Sequence, residues 1–302
     1  MPAAPPTALD RMLSVLLCPV CSAPLEAVER TLRCPARHTF DIARQGYVGL
    51  LTGHRAPATA DAPAMVRART AFLDAGHYAP LAAALADRAT ALAPAPDATV
   101  LDAGVGTGHY LAAVLDALPT ATGLGLDTSS YALRSAARIH PRAAAASWDL
   151  WRSLPLRTDS VHLLLNVFAP RNGAEFHRVL HPAGTLLVVT PTPTHLQELR
   201  TSLNLLNVDP AKEDRLHQTL SATFRREATQ TLEYVAPLAT ADVLNLVTMT
   251  PSAHHISPDA LRTRAAALPN PQPVTFSFTV STFRPLPARR VGTPTREQQN
   301  PN

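Results

Sequence analysis

The sequence predicts an α/β protein: a mostly parallel sheet between helices, preceded by a small metal-held module and closed by antiparallel strands. Three observations predict it. Short apolar strands alternate with helical segments from residue 98 to residue 190. A glycine-rich turn joins the first of these strands to its helix. Three cysteines, all before residue 35, stand with a histidine at metal-ligand spacing.

At 302 residues and 46% apolar content, the chain can bury a sizeable core in one large or two modest domains. No apolar run approaches the roughly 18–20 residues of a membrane helix, so no membrane association is expected. The start, Met1-Pro2-Ala3-Ala4-Pro5-Pro6, lacks the basic and apolar regions of a secretion signal, so a cytoplasmic protein is expected. Three cysteines do not build a secreted disulfide framework. Net charge is +4 and nearly all of the basic residues are arginine, Lys212 being the only lysine. Isoleucine occurs only at Ile42, Ile139 and Ile256. This bias reads first as a GC-rich genome; the charge permits a nucleic-acid partner without showing one.

Taken in order, residues 1–11 are Ala, Pro and Thr with little to bury, and read as disordered. Residues 12–53 hold the cysteines among strand-like pieces. Residues 54–96 read as a linker followed by helices at 65–75 and 78–92, with Met65, Ala68, Phe72 and Leu73 on one side. The main domain spans 97–285. Strands are expected at Thr99–Leu101, Gly123–Leu126, an Ala-rich stretch, Ser160–Phe168 and Gly184–Thr190. Helices are expected at His109–Leu118, Ser130–His140 and Ala174–Leu180, and a polar helical stretch from Thr194 to about residue 218. Thr231–Leu238 and Val274–Phe283 alternate like antiparallel strands. Residues 286–302 form a polar, proline-rich tail read as disordered.

The cysteine spacing is Cys18-x2-Cys21-x12-Cys34-x3-His38. Zinc takes four tetrahedral sulfur and nitrogen ligands, and two close pairs on two turns supply them. A redox pair would leave Cys34 and His38 unexplained; three buried, unliganded cysteines are the other alternative. A closed set of four ligands leaves no position for water or substrate, so the zinc is read as structural.

Residues 99–108 read Thr-Val-Leu-Asp-Ala-Gly-Val-Gly-Thr-Gly. A strand ends at Asp102, and Gly104, Gly106 and Gly108 let the backbone turn sharply against a ligand. Asp127 closes the next strand, where an acid can accept both hydroxyls of a ribose. A turn used for packing alone is the alternative. The dinucleotide fingerprint would place its last glycine at His109. The G-x-G-x-G form, with an acid two residues before it, instead resembles the first motif of class I S-adenosylmethionine-dependent methyltransferases. Arg178-Val179-Leu180-His181-Pro182-Ala183-Gly184 resembles the turn before the fifth strand of that superfamily, and Leu154-Pro155 the pair after its adenine loop. The acid of that loop falls at Asp149, one residue earlier than usual.

The joined text is more specific. Cys34-Pro35-x2-His38-x-Phe40-Asp41 is followed by Gly46-Tyr47-Val48-x-Leu50-Leu51 and Arg69-x2-Phe72-Leu73-Asp74-Ala75-Gly76-His77-Tyr78. Over residues 18 to about 285 the chain resembles the RlmA-type 23S ribosomal RNA guanine-N1 methyltransferases. The resemblance implies S-adenosylmethionine and structural Zn2+ as cofactors, 23S rRNA as partner, and a homodimer. It also implies a target guanine in a hairpin loop near the peptide exit tunnel. One branch modifies guanine 745; the other modifies guanine 748 and contributes to resistance to tylosin-type macrolides. Asn166-Val167-Phe168-Ala169-Pro170 and the composition fit the second branch. A small-molecule methyltransferase is the other enzyme reading.

The family's cofactor contacts fall on Tyr78, on Gly106 and Thr107 in the turn, and on His195 beyond the fifth strand. By residue type alone, Tyr78 also fits a core aromatic and His195 a helix-capping or surface histidine. Guanine N1 must lose a proton as it is methylated. Asn166, at the exposed end of the fourth strand, and Asp149 are the catalytic candidates, with Glu175 a further carboxylate. Arg30, Arg33, Arg37, Arg44, Arg55, Arg67 and Arg69 are candidate phosphate contacts.

Overall fold

A computed structural model describes residues 6–51, 61–92, 95–205 and 218–287. The chain opens on a short helix, α1 (Ala8–Met12), where composition points to disorder over 1–11. A capping box corrects that expectation: the Thr7 hydroxyl accepts the Asp10 N–H, and the Asp10 carboxylate accepts the Thr7 N–H at 2.8 Å. Ala8, Leu9 and Met12 are then buried. Residues 1–5 lie outside the described residues.

Three short antiparallel strands follow: β1 (Glu26–Val28), β2 (Thr31–Arg33) and β3 (Thr39–Asp41). Most of the expected linker lies outside the described residues. Helix α2 (Pro63–Asp74) starts with proline, which lacks an N–H that the first turn would leave unpaired anyway. It buries the expected stripe of Met65, Ala68, Phe72 and Leu73. Helix α3 (Ala79–Ala91) follows after Tyr78.

Strands β4 (Thr99–Ala103), β5 (Thr122–Asp127), β6 (Ala143–Ser147), β7 (Val161–Val167) and β8 (Leu180–Pro191) pair in parallel. Both faces of these strands are covered, which is why they read as near-continuous apolar runs. Helices α4 (His109–Ala117), α5 (Ser130–Ala136) and α6 (Gly173–Val179) separate them, and α7 (Gln197–Leu203) follows β8. Long strands β9 (Phe224–Leu238) and β10 (Gln272–Pro285) add antiparallel pairing, giving the order β6-β5-β4-β7-β8-β10-β9. The chain steps from β4 outward to β6, then crosses to β7 on the other side of β4. In open α/β sheets ligands bind at such a reversal, beyond the carboxyl ends of the strands, here β4 and β7.

Four expectations need adjusting. The helical stretch expected from Thr194 to about residue 218 begins at Gln197 and breaks after Leu203, where Asn204 takes a left-handed φ of 54°. The helix read to His140 stops at Ala136, where the Arg138 N–H turns back to the Ser135 carbonyl. Helices α8 (Thr240–Thr248) and α9 (Pro258–Ala266), joined by a 3-10 turn (Pro251–His254), fill a stretch in which the sequence suggested no element. Leu286, placed in the tail by composition, is held at both backbone groups, by the Thr223 carbonyl and by His177 Nε2. Residues 206–217 and 288–302 lie outside the described residues.

Alternate residues of each strand feed two cores. One face packs Val100, Leu163, Leu165 and Leu187 against α2, α3 and α4. The other packs Leu101, Leu124 and Leu164 with Leu16, Val48 and Leu50 from the N-terminal segment. That segment is also stitched to the sheet. Val48 pairs in parallel with Ala146 at the open edge of β6, through hydrogen bonds of 3.0 and 2.9 Å, and Leu16 bridges Leu156. Among the described residues, no helix is long and apolar enough to cross a membrane.

Candidate functional site

The N-terminal cluster is built by two knuckles. The Cys18 carbonyl accepts the Ser22 N–H, and the Cys34 carbonyl accepts the Arg37 N–H, both at 2.8 Å. Ser22 and Arg37 take positive φ (57° and 65°) to close these turns. The turns bring Cys18 Sγ to 3.5 Å and Cys34 Sγ to 3.3 Å from His38 Nδ1, and Cys21 Sγ to 3.7 Å from Cys34 Sγ. All four donor atoms lie within 4.8 Å of one another. Zinc bonds of about 2.3 Å to sulfur and 2.0–2.1 Å to nitrogen, set tetrahedrally, require ligand–ligand edges of roughly 3.5–3.8 Å. The residues therefore fit a structural zinc ion held through His38 Nδ1. The expected set Cys18, Cys21, Cys34 and His38 is brought together.

The second site lies at the switch point. Gly104 and Val105 both donate to the Leu126 carbonyl, and Gly108, with φ of 92°, caps α4. A Cβ on Gly108 would meet Ile139 Cγ2 at 2.7 Å, so this glycine lets α4 approach the end of α5. Asp127 stands at the end of β5 and accepts the Gly106 N–H at 2.9 Å and the Ser129 N–H at 2.8 Å. Burial raises its pKa. Asp102 is buried beneath the turn and its Oδ1 has no hydrogen-bond partner. Burial, and then the nearby charge of Asp127, push Asp102 up to about 8. Thr107 is buried in the same turn. A cradle of glycines, an orphaned buried acid and a second acid at the next strand end fit the adenosyl cofactor that the sequence implies.

An aromatic wall faces this turn. Tyr78 is buried, and its hydroxyl lies 3.5 Å from His195 Nε2. His195 Nδ1 accepts the Ser277 N–H at 3.2 Å, which places the ring proton of the neutral form on Nε2, toward Tyr78. Burial raises the Tyr78 pKa. The Tyr78 ring meets Phe72, Phe276 and Phe278 edge-on, with centroids 5.2–5.3 Å away. Tyr78 and His195, 117 residues apart, are thus brought together.

Phe168 extends this wall outward. It is 41% exposed, takes φ of 55° just past β7, and packs near Tyr78, Tyr110 and Phe278. An exposed aromatic in a left-handed conformation at a strand end is a functional signal that the motif reading passed over in favour of Asn166. Asn166 is fully buried. Its amide donates to the Ala103 and Pro170 carbonyls at 3.1 and 2.9 Å, bracing the seam between β4 and β7. Asp149 accepts the Trp151 N–H at 3.0 Å and lies 3.9 Å from Arg152. The loop it begins is locked from below. Asn172 holds the Leu150 carbonyl, and Glu175 accepts the Leu154 N–H at 2.6 Å and pairs with Arg178. Burial opposes ionisation of Glu175, but Arg178 and the Leu154 N–H outweigh it and hold its pKa down. Glu175 is an anchor. At the top of this rigid loop Trp151 stands 68% exposed.

The arginines divide. Arg30, Arg33, Arg37, Arg44 and Arg67 are exposed. Arg55 lies outside the described residues. Arg69 turns inward, pairing with Asp61 and donating to the Met249 carbonyl at 3.1 Å. Its position at the glycine turn corrects its expected place among the exposed phosphate contacts.

Comparison with known proteins places this geometry in context. A family described as "RlmA, N-terminal", a zinc ribbon, matches residues 16–55. The 23S rRNA (guanine(748)-N(1))-methyltransferase of Streptomyces fradiae is 50% identical over 276 residues, covering 90% of this chain and 97% of the relative. A Micromonospora griseorubida protein, given the provisional name 23S rRNA (guanine-N(1)-)-methyltransferase, is 51% identical over 293 residues, covering 91% of this chain and 99% of the relative. Among solved structures, a Bacillus halodurans protein described as a methyltransferase is 17% identical with a TM-score of 0.45, covering 66% of this chain and 97% of the other. That likeness is too loose to build on.

Proposed function

This chain belongs to the 23S rRNA (guanine-N1)-methyltransferases of the RlmA type, and from that premise we propose that it methylates N1 of guanine 748. The enzyme depends on S-adenosylmethionine and carries a structural zinc ribbon. The observation that carries the reading is the glycine cradle with Asp127 at the switch point, in a chain half identical to the guanine-748 enzyme over nearly all of its length.

When bound, S-adenosylmethionine supplies an electrophilic methyl group on a sulfonium. We assign Gly104, Gly106, Thr107 and Gly108 to the turn that wraps it, Asp102 to support beneath the turn and Asp127 to its ribose. Tyr78 and His195 pack at its flank. The chain's main contribution is alignment of guanine N1 with the methyl group. In the transfer guanine N1 would bond the methyl carbon as the sulfur leaves as the thioether of S-adenosylhomocysteine, and the N1 proton would pass to water. Phe168 offers the exposed aromatic face for the target base, and Asn166 fixes the strand end that carries Phe168. The exposed ribbon arginines suit phosphates, which position the RNA without reading its sequence. Resistance to tylosin-type macrolides, a homodimer and a cytoplasmic location complete the proposal, resting on the family resemblance.

Primer extension on 23S rRNA incubated with the protein and S-adenosylmethionine tests it. A methyl on N1 blocks Watson–Crick pairing, so reverse transcription halts beside the modified base. The expected result is a new cofactor-dependent stop beside guanine 748. A stop at guanine 745 assigns the other branch. No stop, with cofactor binding intact, refutes the rRNA substrate.

A further inference from the structure

Arg69 departs most from the role its neighbours suggest. Arg67, two residues earlier on α2, faces solvent, whereas the Arg69 side chain is 24% exposed and lies across the glycine turn. Its Nη1 sits 3.3 Å from the point a Cβ on Gly106 would occupy. Its charge bears on Asp127, Tyr78 and Tyr110, which belong to or adjoin the cofactor site. One arm of the guanidinium is anchored on the Met249 carbonyl; the other is paired with the Asp61 carboxylate. Asp61 is itself pinned, since its carbonyl accepts the Ser129 hydroxyl at 2.8 Å, two residues from Asp127.

We propose that Arg69 binds the carboxylate of the cofactor's amino-acid end, and that Asp61 is an internal carboxylate which the cofactor displaces. The inference rests on the S-adenosylmethionine reading above. Its logic is electrostatic. The cofactor carries two cations, the ammonium and the sulfonium, and a single carboxylate. A guanidinium beside the turn is repelled by both cations and matches only the carboxylate, which it can hold in a fork. The site already accepts a carboxylate in that place, so exchanging Asp61 for the cofactor leaves the charge on Arg69 balanced throughout.

Calorimetry with two probes tests this on the full-length, zinc-loaded protein. S-Adenosylhomocysteine carries the amino-acid end; 5′-methylthioadenosine lacks it. Arg69→Ala is expected to weaken S-adenosylhomocysteine by about 30-fold, the size of a missing charge-assisted pair, and 5′-methylthioadenosine by less than about threefold. Arg69→Lys, which keeps the charge but not the fork, is expected to fall between and guards against misfolding of the alanine variant. Asp61→Asn is expected to tighten S-adenosylhomocysteine by about threefold or more, because the competitor is gone. Equal losses for both probes, or an unchanged S-adenosylhomocysteine affinity in both Arg69 variants, overturn the carboxylate role. Unchanged or weaker binding in Asp61→Asn overturns displacement. Failure of the wild-type protein to bind either probe overturns the cofactor reading instead.

Discussion

Replacing Gly104 with alanine tests the central turn. Two costs follow from its geometry. Gly104 has φ of 93°, a conformation that costs an L-residue about 1–2 kcal/mol. The new Cβ would also lie 2.3 Å from the Ala169 Cβ, far inside the roughly 3.5–4.0 Å of carbon–carbon contact. The loop after β7 must retreat by more than an ångström, an overpacking cost of about 1–3 kcal/mol. Together the loss is about 2–5 kcal/mol, read as a lower urea midpoint at unchanged slope. The two terms separate in a double-mutant cycle. Ala169→Gly removes the opposing methyl but leaves the φ cost, so the pair is expected to show a favourable coupling of about 1–3 kcal/mol. Binding of S-adenosylhomocysteine, followed in the same four proteins, is expected to recover in the double variant. Strict additivity would refute the argument that contact between the turn and the Phe168 loop limits this site.

Other expectations concern charge and RNA. Asp102 is held at about 8 in the folded protein, against about 3.9 when unfolded. Both states are protonated at low pH; between about pH 4 and pH 8 the unfolded chain ionises first, so the folded state loses stability as pH rises. Asp102→Asn is therefore expected to gain on the wild type from about pH 5 to pH 8 in urea titrations, and parallel curves would refute it. Trp151→Ala is expected to weaken binding of the 23S hairpin by about 5- to 100-fold, the loss of one stacked base, while sparing S-adenosylhomocysteine. In a Trp148→Phe background, quenching of the remaining Trp151 emission by RNA is the direct check. Replacing Arg30, Arg33, Arg37 and Arg44 with glutamine is expected to flatten the salt dependence of RNA affinity. Each phosphate that is no longer neutralised lowers the log–log slope by about 0.7–0.9. An unchanged slope removes the ribbon from the RNA interface.

The parallel sheet was legible because buried strands carry unbroken apolar runs, such as Leu163 to Leu165, and because glycines and acids punctuate them at fixed places. The zinc cluster was legible because ligand spacing is a local property. The misses have equally physical causes. Helix α1 forms through the reciprocal Thr7–Asp10 cap within a composition that otherwise favours disorder. Helix α9 buries only Leu261 and Ala265, too few to mark a stripe, whereas α8 does carry one at Val243, Leu246 and Val247 that the alternating strands on either side drew attention from. Arg69 and Arg67 are alike in sequence, and only the packing of α2 sends one to solvent and the other to the glycine turn. Asn166 sits at the expected strand end, but the Ala103 carbonyl that draws its amide inward is 63 residues away and meets it only when β4 and β7 pair.

The bond between Val48 and the rim of β6 has a consequence for how this protein behaves at high concentration. Strand β6 reads Ala-Ala-Ala-Ala-Ser, with neither charge nor proline to discourage a foreign strand from adding to it. Val48 occupies part of that rim, and the segment carrying it is organised around the four zinc ligands. If the segment loosens without its metal, this rim becomes a template for intermolecular strand addition. Chelating the metal is therefore expected to raise concentration-dependent self-association in light scattering, and scattering that stays unchanged would mean that the burial of Val48 and Leu50 holds the rim by itself.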